Sequence, residues 1–142
     1  MTITYYIAAK FEDTEIFKRI TNALSSRKDA NYVLTIDWTK HENCKPYSEN
    51  REVCIHQAID DVVAIRNSIM FILAYDGKKG SGMIFELGYA YSLLAQRRIA
   101  NIIITYDDDV YNIRDILDQS MFLALPEITF MSIRQLSSCD LI

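Results

Sequence analysis

The sequence has few of the residues that mark disulfide-rich, disordered or membrane-spanning chains. Its 142 residues include three cysteines, two prolines and four glycines. Because Cys44, Cys54 and Cys139 are odd in number and widely spaced, with no paired Cys/His pattern, we expect reduced thiols rather than a zinc site. No apolar run approaches the roughly 20 residues of a membrane helix, and the first residues lack the basic start of a secretion signal. We therefore expect a soluble cytoplasmic protein with no membrane partner.

Positive charge is also scarce. The formal net charge is −4, which argues against the broad basic surface of a protein that holds a nucleic-acid polymer through its phosphates. A small-molecule partner fits better. Half of the residues are hydrophobic and 24% are charged, so the chain is not disordered, and its length predicts a single domain over residues 1–142.

Strand and helix patterns alternate along the whole chain. The predicted strands, which are apolar or β-branched, are 2–8, 32–37, 68–75, 99–106 and 128–132. The predicted helices follow Asp13 or Thr14, run from Ser48 to about Ile65, begin near Gly82 and cover 111–120, with a last turn at 132–136. This order predicts an α/β fold: a Rossmann- or flavodoxin-like sheet of about five parallel strands flanked by helices.

The loops that follow the strands are expected to form one cleft. In an open α/β sheet the carboxyl ends of parallel strands lie along one edge, where ligands bind. Residues around Ala9, Trp38, Asp76 and Tyr106 occupy those positions. The loop 76–82 contains three glycines and follows a continuously apolar strand, so we expect a flexible loop at the edge where ligands bind.

The segment 80–90, with the sequence Gly-Ser-Gly-Met-Ile-Phe-Glu-Leu-Gly-Tyr-Ala, joins this strand to a helix. We expect Glu86 in the first turn, where the unpaired N–H groups and the helix dipole favour an ionised carboxylate. The alternative is an ordinary acidic residue at a helix start, which the dipole favours without any function. Gly88 inside the helix costs up to about 1 kcal/mol relative to alanine, which indicates close packing against it.

This segment resembles the signature of the nucleoside 2-deoxyribosyltransferase family, a Gly-rich loop followed by Glu-Leu-Gly-x-Ala. The family includes deoxynucleoside 5′-monophosphate N-glycosidases. The resemblance spans roughly residues 2–106 and implies that Glu86 is the nucleophile that accepts the sugar. It implies that Asp60, on the preceding helix, is the acid that assists the leaving base, and that Tyr6, on the first strand, orients Glu86. Asp61 lies about 100° further around the helix, so we expect it to be solvated.

The resemblance further implies a nucleoside or nucleotide substrate, no cofactor, and a homodimer or larger homo-oligomer. Phe11 and Trp38 are candidates to stack on the base, or else pack under a loop. Backbone N–H groups of Gly80–Gly82, with Lys10, Lys78 or Lys79, are candidates for a 5′-phosphate site, although Gly80 stands where family members often carry Asp or Ser. The expected substrate-binding residues are Ala9, Lys10, Phe11, Trp38, Asp76, Gly80, Ser81, Gly82 and Met83.

No metal site is expected. The run 107–109 is a short acidic loop without the glycine and distant glutamate of a calcium loop, and is interpreted as a solvated turn. His41 and His56 are expected at the surface or in an interface, and Cys54 near His56 is not placed to form a catalytic pair, since residues two apart on a helix do not face one another.

Two other functions stay open from the sequence. Domains of the Toll/interleukin-receptor type are α/β proteins of similar size that also use a glutamate on a helix, which would imply cleavage of the nicotinamide bond of NAD. A non-catalytic module that binds a nucleotide or a nucleotide-derived signal is the third possibility. The Glu-Leu-Gly-Tyr-Ala segment favours an activity like that of the nucleoside 2-deoxyribosyltransferases over both. The joint presence of Tyr6, Asp60 and Glu86 argues weakly against the non-catalytic module.

Overall fold

Five parallel strands form the central sheet of the protein. The computed structural model describes residues 1–77 and 80–141. Within them the strands are β1 (Thr2–Ala8), β2 (Asn31–Leu34), β3 (Met70–Ala74), β4 (Asn101–Tyr106) and β5 (Ile128–Ser132). Their order is β2-β1-β3-β4-β5, and each neighbouring pair is parallel. The predicted Rossmann/flavodoxin-like α/β fold is confirmed.

The strands at the centre of the sheet owe their position to continuous apolar sequence. Every residue of β3 is buried, as is all of β4 after Asn101. Such runs need cover on both faces, which the crossover helices supply. The edge strand β2 instead alternates between exposed and half-buried residues. The strands around positions 32, 68 and 99 are shorter than predicted.

Helices flank the sheet and are α1 (Thr14–Ser25), α2 (Arg51–Arg66), α3 (Ser81–Ala95), α4 (Ile113–Leu117) and α5 (Ile133–Leu136). Helix α1 packs with α5, and α2 packs with α3. Short 3₁₀ turns cover Trp38–Lys40, Tyr47–Glu49 and Met121–Ala124. None of the described helices is long and apolar enough to cross a membrane.

Helix α2 begins later, and faces differently, than the sequence indicates. A 3₁₀ turn precedes it, so it starts at Arg51 rather than after Ser48. The apolar residues Ile55, Ile59 and Val63 form a stripe at a spacing of four, yet all three are exposed. The side that faces the rest of the protein instead buries Ala64 and Ile65. The outward face of α2 is therefore as apolar as its inward face.

Helix α3 begins at Ser81, with Gly80 as its N-cap. Glu86 is therefore in the second turn, and the expected first-turn position is wrong. The helix starts earlier than expected, and Gly82 and Met83 belong to its first turn. The expected close packing at Gly88 is also wrong within this chain, since a Cβ placed there would have nothing within 4 Å among the described residues.

A glycine is required where the chain leaves β3. Gly77 has a φ of +83°, a conformation that side chains with a Cβ rarely adopt. The Tyr111 hydroxyl donates to the Asp76 carbonyl oxygen at 2.6 Å, and a Cβ on Gly77 would lie 2.5 Å from that hydroxyl oxygen. The start of the loop after β3 is thus fixed against the segment before α4.

Candidate active site

The main cavity lies at the carboxyl edge of the sheet, where the strand order reverses. The chain passes from β1 to β2 on one side and returns to β3 on the other side of β1. Open α/β sheets bind ligands at such a switch point. The cavity has a volume of about 580 Å³ and is lined by residues that follow β1, β2 and β3 and by residues of α2 and α3.

A tyrosine and a glutamate meet at the floor of this cavity. Tyr6 pairs with Phe71 across the β1–β3 ladder, and their rings stack with centroids 5.8 Å apart. The Tyr6 side chain is almost fully buried (1% exposed), and its hydroxyl donates a hydrogen bond to Oε2 of Glu86. Burial raises the pKa of Tyr6, with Glu86 and Asp61 adding to the rise, so the phenol stays protonated and remains a donor.

The ionisation of Glu86 is controlled by burial rather than by the helix dipole. Burial raises its pKa to about 7, the Tyr6 hydrogen bond opposes the rise, and the nearby Asp61 carboxylate adds to it. Glu86 is six residues into α3, beyond the turn where dipole effects are strongest. Burial therefore favours the neutral carboxyl group, in the opposite direction to the effect expected from the helix end.

Asp61, and not Asp60, faces the cavity from α2. The Asp61 side chain is 27% exposed and lines the cavity, whereas Asp60 is exposed and does not. Burial raises the pKa of Asp61 to about 6, while His41 lowers it and Asp60 raises it. The expectation that Asp60 turns toward Glu86 and Asp61 toward solvent is wrong, because the apolar stripe Ile55–Ile59–Val63 faces outward.

His41 approaches Asp61 from the loop after β2. Its Nδ1 lies 4.0 Å from Oδ1 of Asp61, and its side chain is only 16% exposed. His41 was expected at the surface or in an interface, and it lines the cavity instead. One sequence signal could have indicated that His41 lines the cavity. The residue lies three positions after Trp38, in a loop at the carboxyl end of a strand. His56 is exposed on α2, as expected.

Most of the predicted substrate-binding residues line the cavity. They are Ala9, Lys10, Phe11, Trp38, Gly80, Ser81, Gly82 and Met83. Asp76 is not among the described residues that line it; its carbonyl accepts the Tyr111 hydrogen bond instead. Lys78 and Lys79 lie outside the described residues. Lining the cavity shows where these side chains are, and their contacts with a substrate stay predictions.

The two aromatic residues differ in what they offer a ligand. Trp38 is buried, its indole N–H donates to the Ile7 carbonyl at 2.6 Å, and it packs edge-on against Phe17 with ring centroids 4.9 Å apart. Phe11 is 38% exposed and lies 6.4 Å from Trp38, centroid to centroid. Trp38 therefore forms a fixed wall, and Phe11 has the free ring face that stacking on a flat ligand needs.

The outer wall of the cavity comes from the loop 41–47 and from α2. Cys54 on α2 donates a weak hydrogen bond from Sγ to the Cys44 carbonyl at 3.7 Å, which links the loop to the helix. Both thiols are free, as expected. Lys45 and Glu12 pair at 3.6 Å across the mouth, but both are too exposed for the pair to contribute much stability.

The acidic run 107–109 lies away from the cavity and is paired with arginines. Arg134 contacts Asp108 at 2.8 Å and Asp109 at 3.0 Å, and Arg19 contacts Asp107 at 2.9 Å. The three carboxylates lie close together, and two arginines pair with them.

The fold and this cavity define a doubly wound α/β protein with a buried Tyr–Glu pair and an aspartate opposite it. The chain matches no protein-family model and no curated protein. Among solved structures, it is similar to the Clostridium botulinum CMP N-glycosidase BcmB, with a TM-score of 0.50 and 15% sequence identity, over 91% of this chain and 87% of that one. At this identity the likeness concerns the fold, and it agrees with the fold that the family resemblance implies.

Proposed function

We propose that this protein is an enzyme that cleaves, or transfers at, the N-glycosidic bond of a nucleoside 5′-monophosphate or a (deoxy)nucleoside. The observation that carries the proposal is the hydrogen bond from Tyr6 to Glu86, with Asp61 facing the same cavity from another helix. The structural neighbour with the same fold is named for N-glycosidase activity on CMP, which supports the same class of reaction here.

In the first step, an Oε atom of Glu86 attacks C1′ of the sugar as the bond from C1′ to the base nitrogen breaks. The bonding electrons leave with the base, and Asp61 delivers a proton to it. Asp61 takes the role that the sequence assigned to Asp60. The product is a glycosyl ester of Glu86 and a free base, and the Tyr6 hydroxyl keeps the attacking carboxylate in place.

In the second step, water or another base attacks C1′ and the ester bond to Glu86 breaks, returning its electrons to the carboxylate. Asp61, now ionised, accepts the proton of the attacking group. Attack by water gives hydrolysis, and attack by a base gives transfer. Two displacements at C1′ retain its configuration.

The two carboxyl groups must hold one proton between them for the first step. Glu86 has to be ionised and Asp61 protonated, while their pKa values are about 7 and about 6. The pair therefore loses its protons in two overlapping steps. The reactive form, with Glu86 ionised and Asp61 protonated, is a minor one that is most populated at a pH between the two pKa values. Activity is therefore expected to be highest near pH 6.5.

The cavity suits a nucleotide in size and in chemistry. A volume of about 580 Å³ lies within the usual range for small-molecule sites. Phe11 offers an exposed ring for the base. At the opposite side, the first backbone N–H groups of α3 at Ser81 and Gly82 point toward the cavity end of the helix, and Lys10 lies nearby. A helix N-terminus with a lysine favours a phosphate.

The test is a substrate panel of nucleosides, deoxynucleotides, CMP and NAD, each with and without a free acceptor base. Chromatography of the products separates the possibilities. Release of a free base supports the proposal, and a new nucleoside formed only with the acceptor indicates transfer. Release of nicotinamide from NAD would favour the NAD-cleaving alternative. Binding without turnover of any compound would favour the non-catalytic module and contradict the proposal.

The covalent step has its own test. A 2-fluorinated deoxyribose substrate with a good leaving base should slow the second step, because the electronegative substituent destabilises its cationic transition state. Intact-protein mass spectrometry should then show one added sugar per chain, mapped to the peptide that contains Glu86, and an acceptor base should discharge it. The Glu86→Gln variant is the control. Turnover with inversion at C1′ and no adduct would make Glu86 a general base.

We also propose that the protein works as a homo-oligomer, with a second copy covering the outer faces of α2 and α3. Ile55, Ile59, Ile84 and Phe85 are exposed there, Phe85 by 67%. A two-fold dimer places the same face of each copy against the other, so one apolar face is covered by its own copy and no other partner is needed. Gly88 leaves open space beside Phe85 and Ile84, so another helix can approach closely.

Light scattering after size exclusion tests this. The parent should have at least twice the mass of one chain, and Phe85→Glu should reduce the mass to one chain. Met121→Glu is the control, since Met121 is 78% exposed at a different place on the surface. A parent that stays monomeric at every concentration would contradict the proposal.

A further inference from the structure

His41 is held in a fixed position although it lies in a loop. Trp38, three residues earlier, is anchored to β1 by its hydrogen bond to the Ile7 carbonyl. The 3₁₀ turn Trp38–Lys40 is capped by Asp37, whose Oδ1 accepts from the Thr39 amide at 3.1 Å. The His41 amide then donates to the Trp38 carbonyl at 3.0 Å, which closes the turn. The imidazole is thereby placed relative to the floor of the cavity.

The atom that His41 faces is a buried carboxylate oxygen. Oδ1 of Asp61 is fully buried and accepts no hydrogen bond from any of the residues that the structure describes. An unsatisfied buried oxygen is costly, and more so when it carries charge. Nδ1 of His41 is 4.0 Å away, which is close enough for a charge interaction and too long for a direct hydrogen bond.

The other groups that act on the charge of Asp61 are acidic or neutral. Glu86 faces it from α3, Tyr6 from β1, and Asp60 precedes it on α2. Among the described residues that shift the pKa of Asp61, His41 is the one that can carry a positive charge. It is therefore the group that can stabilise the carboxylate that Asp61 becomes when it gives its proton to a leaving base.

We propose that His41 is the positioning residue of Asp61: it faces the buried Oδ1 of the carboxyl group and leaves the other oxygen for the substrate base. This inference rests on the proposed N-glycosidic cleavage. It predicts that His41 matters most for substrates whose base is a poor leaving group, because those depend most on proton donation. A histidine that only fills the loop would affect all substrates equally.

The sequence has two histidines, which provides a matched pair of variants. His41→Asn should move the acidic limb of the kcat/KM profile upward by about 0.5 to 1 pH unit, because Asp61 loses a neighbour that favours its ionised form. It should also lower the rate several-fold more for poor than for good leaving bases. His56→Asn, on the exposed side of α2, should change neither. An unmoved limb and equal losses for all bases would overturn the inference.

Carboxyl NMR titrations of the ligand-free protein test the pair without any substrate. The Asp61 midpoint should rise in His41→Asn and in His41→Gln, so one variant that fails to fold leaves the measurement on the other. Unchanged midpoints in the folded variants would overturn the inference. If the parent cleaves no substrate but the midpoints move, the proposed function is wrong and the coupling of His41 to Asp61 stands by itself.

Discussion

Replacing Tyr6 with phenylalanine should change the pH dependence of catalysis far more than the fold. Phenylalanine keeps the ring that stacks on Phe71 and removes only the hydroxyl that donates to Glu86. That hydrogen bond lowers the pKa of Glu86 against the rise that burial causes. A hydrogen bond to a charged group contributes about 1.5–3 kcal/mol, so its loss should raise the pKa of Glu86 by about one to two pH units.

The size of the effect follows from the two carboxyl groups. With pKa values of about 7 for Glu86 and about 6 for Asp61, the parent kcat/KM profile should be bell-shaped with limbs near pH 6 and pH 7. About one-twentieth of the molecules then hold the reactive arrangement at about pH 6.5. In Tyr6→Phe the alkaline limb should move to higher pH, and the pH optimum should move by about half as much. The maximum of kcat/KM should fall about 7- to 60-fold.

The assay is the initial rate of base release at low substrate concentration, measured across the pH range in which both proteins stay folded. Low substrate concentration gives kcat/KM, which reports the ionisation of the free enzyme. Thermal melting curves of Tyr6→Phe and the parent should match in their cooperativity. A variant that is slower but keeps both limbs where the parent has them would refute the idea that the hydroxyl sets the ionisation of Glu86.

Three further predictions use single substitutions. Asp61→Asn should reduce kcat/KM by about 10²- to 10⁴-fold, the usual contribution of a general acid, and Asp60→Asn should leave it nearly unchanged; equal effects in steady-state assays would contradict the assignment. Glu86 has its pKa raised from 4.5 to about 7, so the folded state favours its neutral form and loses stability as pH rises through that range. The free energy of unfolding of Glu86→Gln should therefore exceed that of the parent by about 3 kcal/mol at about pH 8 and equal it at about pH 4. Denaturant unfolding at both pH values measures this, and the same difference at both would contradict the prediction. Gly77→Ala should destabilise the protein by at least about 1–2 kcal/mol because of its positive φ, whereas Gly82→Ala, where a Cβ has open space, should not, and equal midpoints in denaturant unfolding would show that the turn can relax.

The alternation of strands and helices and the parallel five-stranded sheet could be predicted because their signals are local and repeated. The continuous apolar residues of β3 and β4 need cover on both faces, and the helical patterns between strands provide that cover. Parallel strands with such crossovers leave few arrangements open. The boundaries were less accurate, because strand ends depend on where neighbouring strands stop, as at β2, which ends at Leu34 rather than at Asp37.

The choice between Asp60 and Asp61 could not be made from local pattern. Hydrophobic periodicity identifies the buried face of a helix only when the other face is polar. In α2 the exposed residues Ile55, Ile59 and Val63 make the outward face the more regular apolar stripe. The assignment of Asp60 came from the family resemblance, since the pattern of α2 does not show which side faces the cavity. An error of one residue moved the carboxylate from the cavity to solvent.

The ionisation of Glu86 and the position of His41 depend on tertiary structure. The pKa of Glu86 is set by its burial, by the hydrogen bond from Tyr6 of β1 and by the charge of Asp61 of α2, none of which a helix-end argument includes. His41 reaches Asp61 only because Trp38 fixes the loop to β1. Neither contact leaves a periodic trace in the sequence.

Trp38 is the only tryptophan in the sequence, and it forms part of the cavity wall. When the protein is excited at a wavelength that only tryptophan absorbs, its fluorescence therefore comes from one indole. That indole lies between Phe11 and Phe17 and is held by its hydrogen bond to the Ile7 carbonyl. A ligand that stacks on Phe11 changes the surroundings of the indole, and the emission changes with them. The protein thus contains its own optical probe of occupancy, which allows binding and release to be timed without a label or a chemical step.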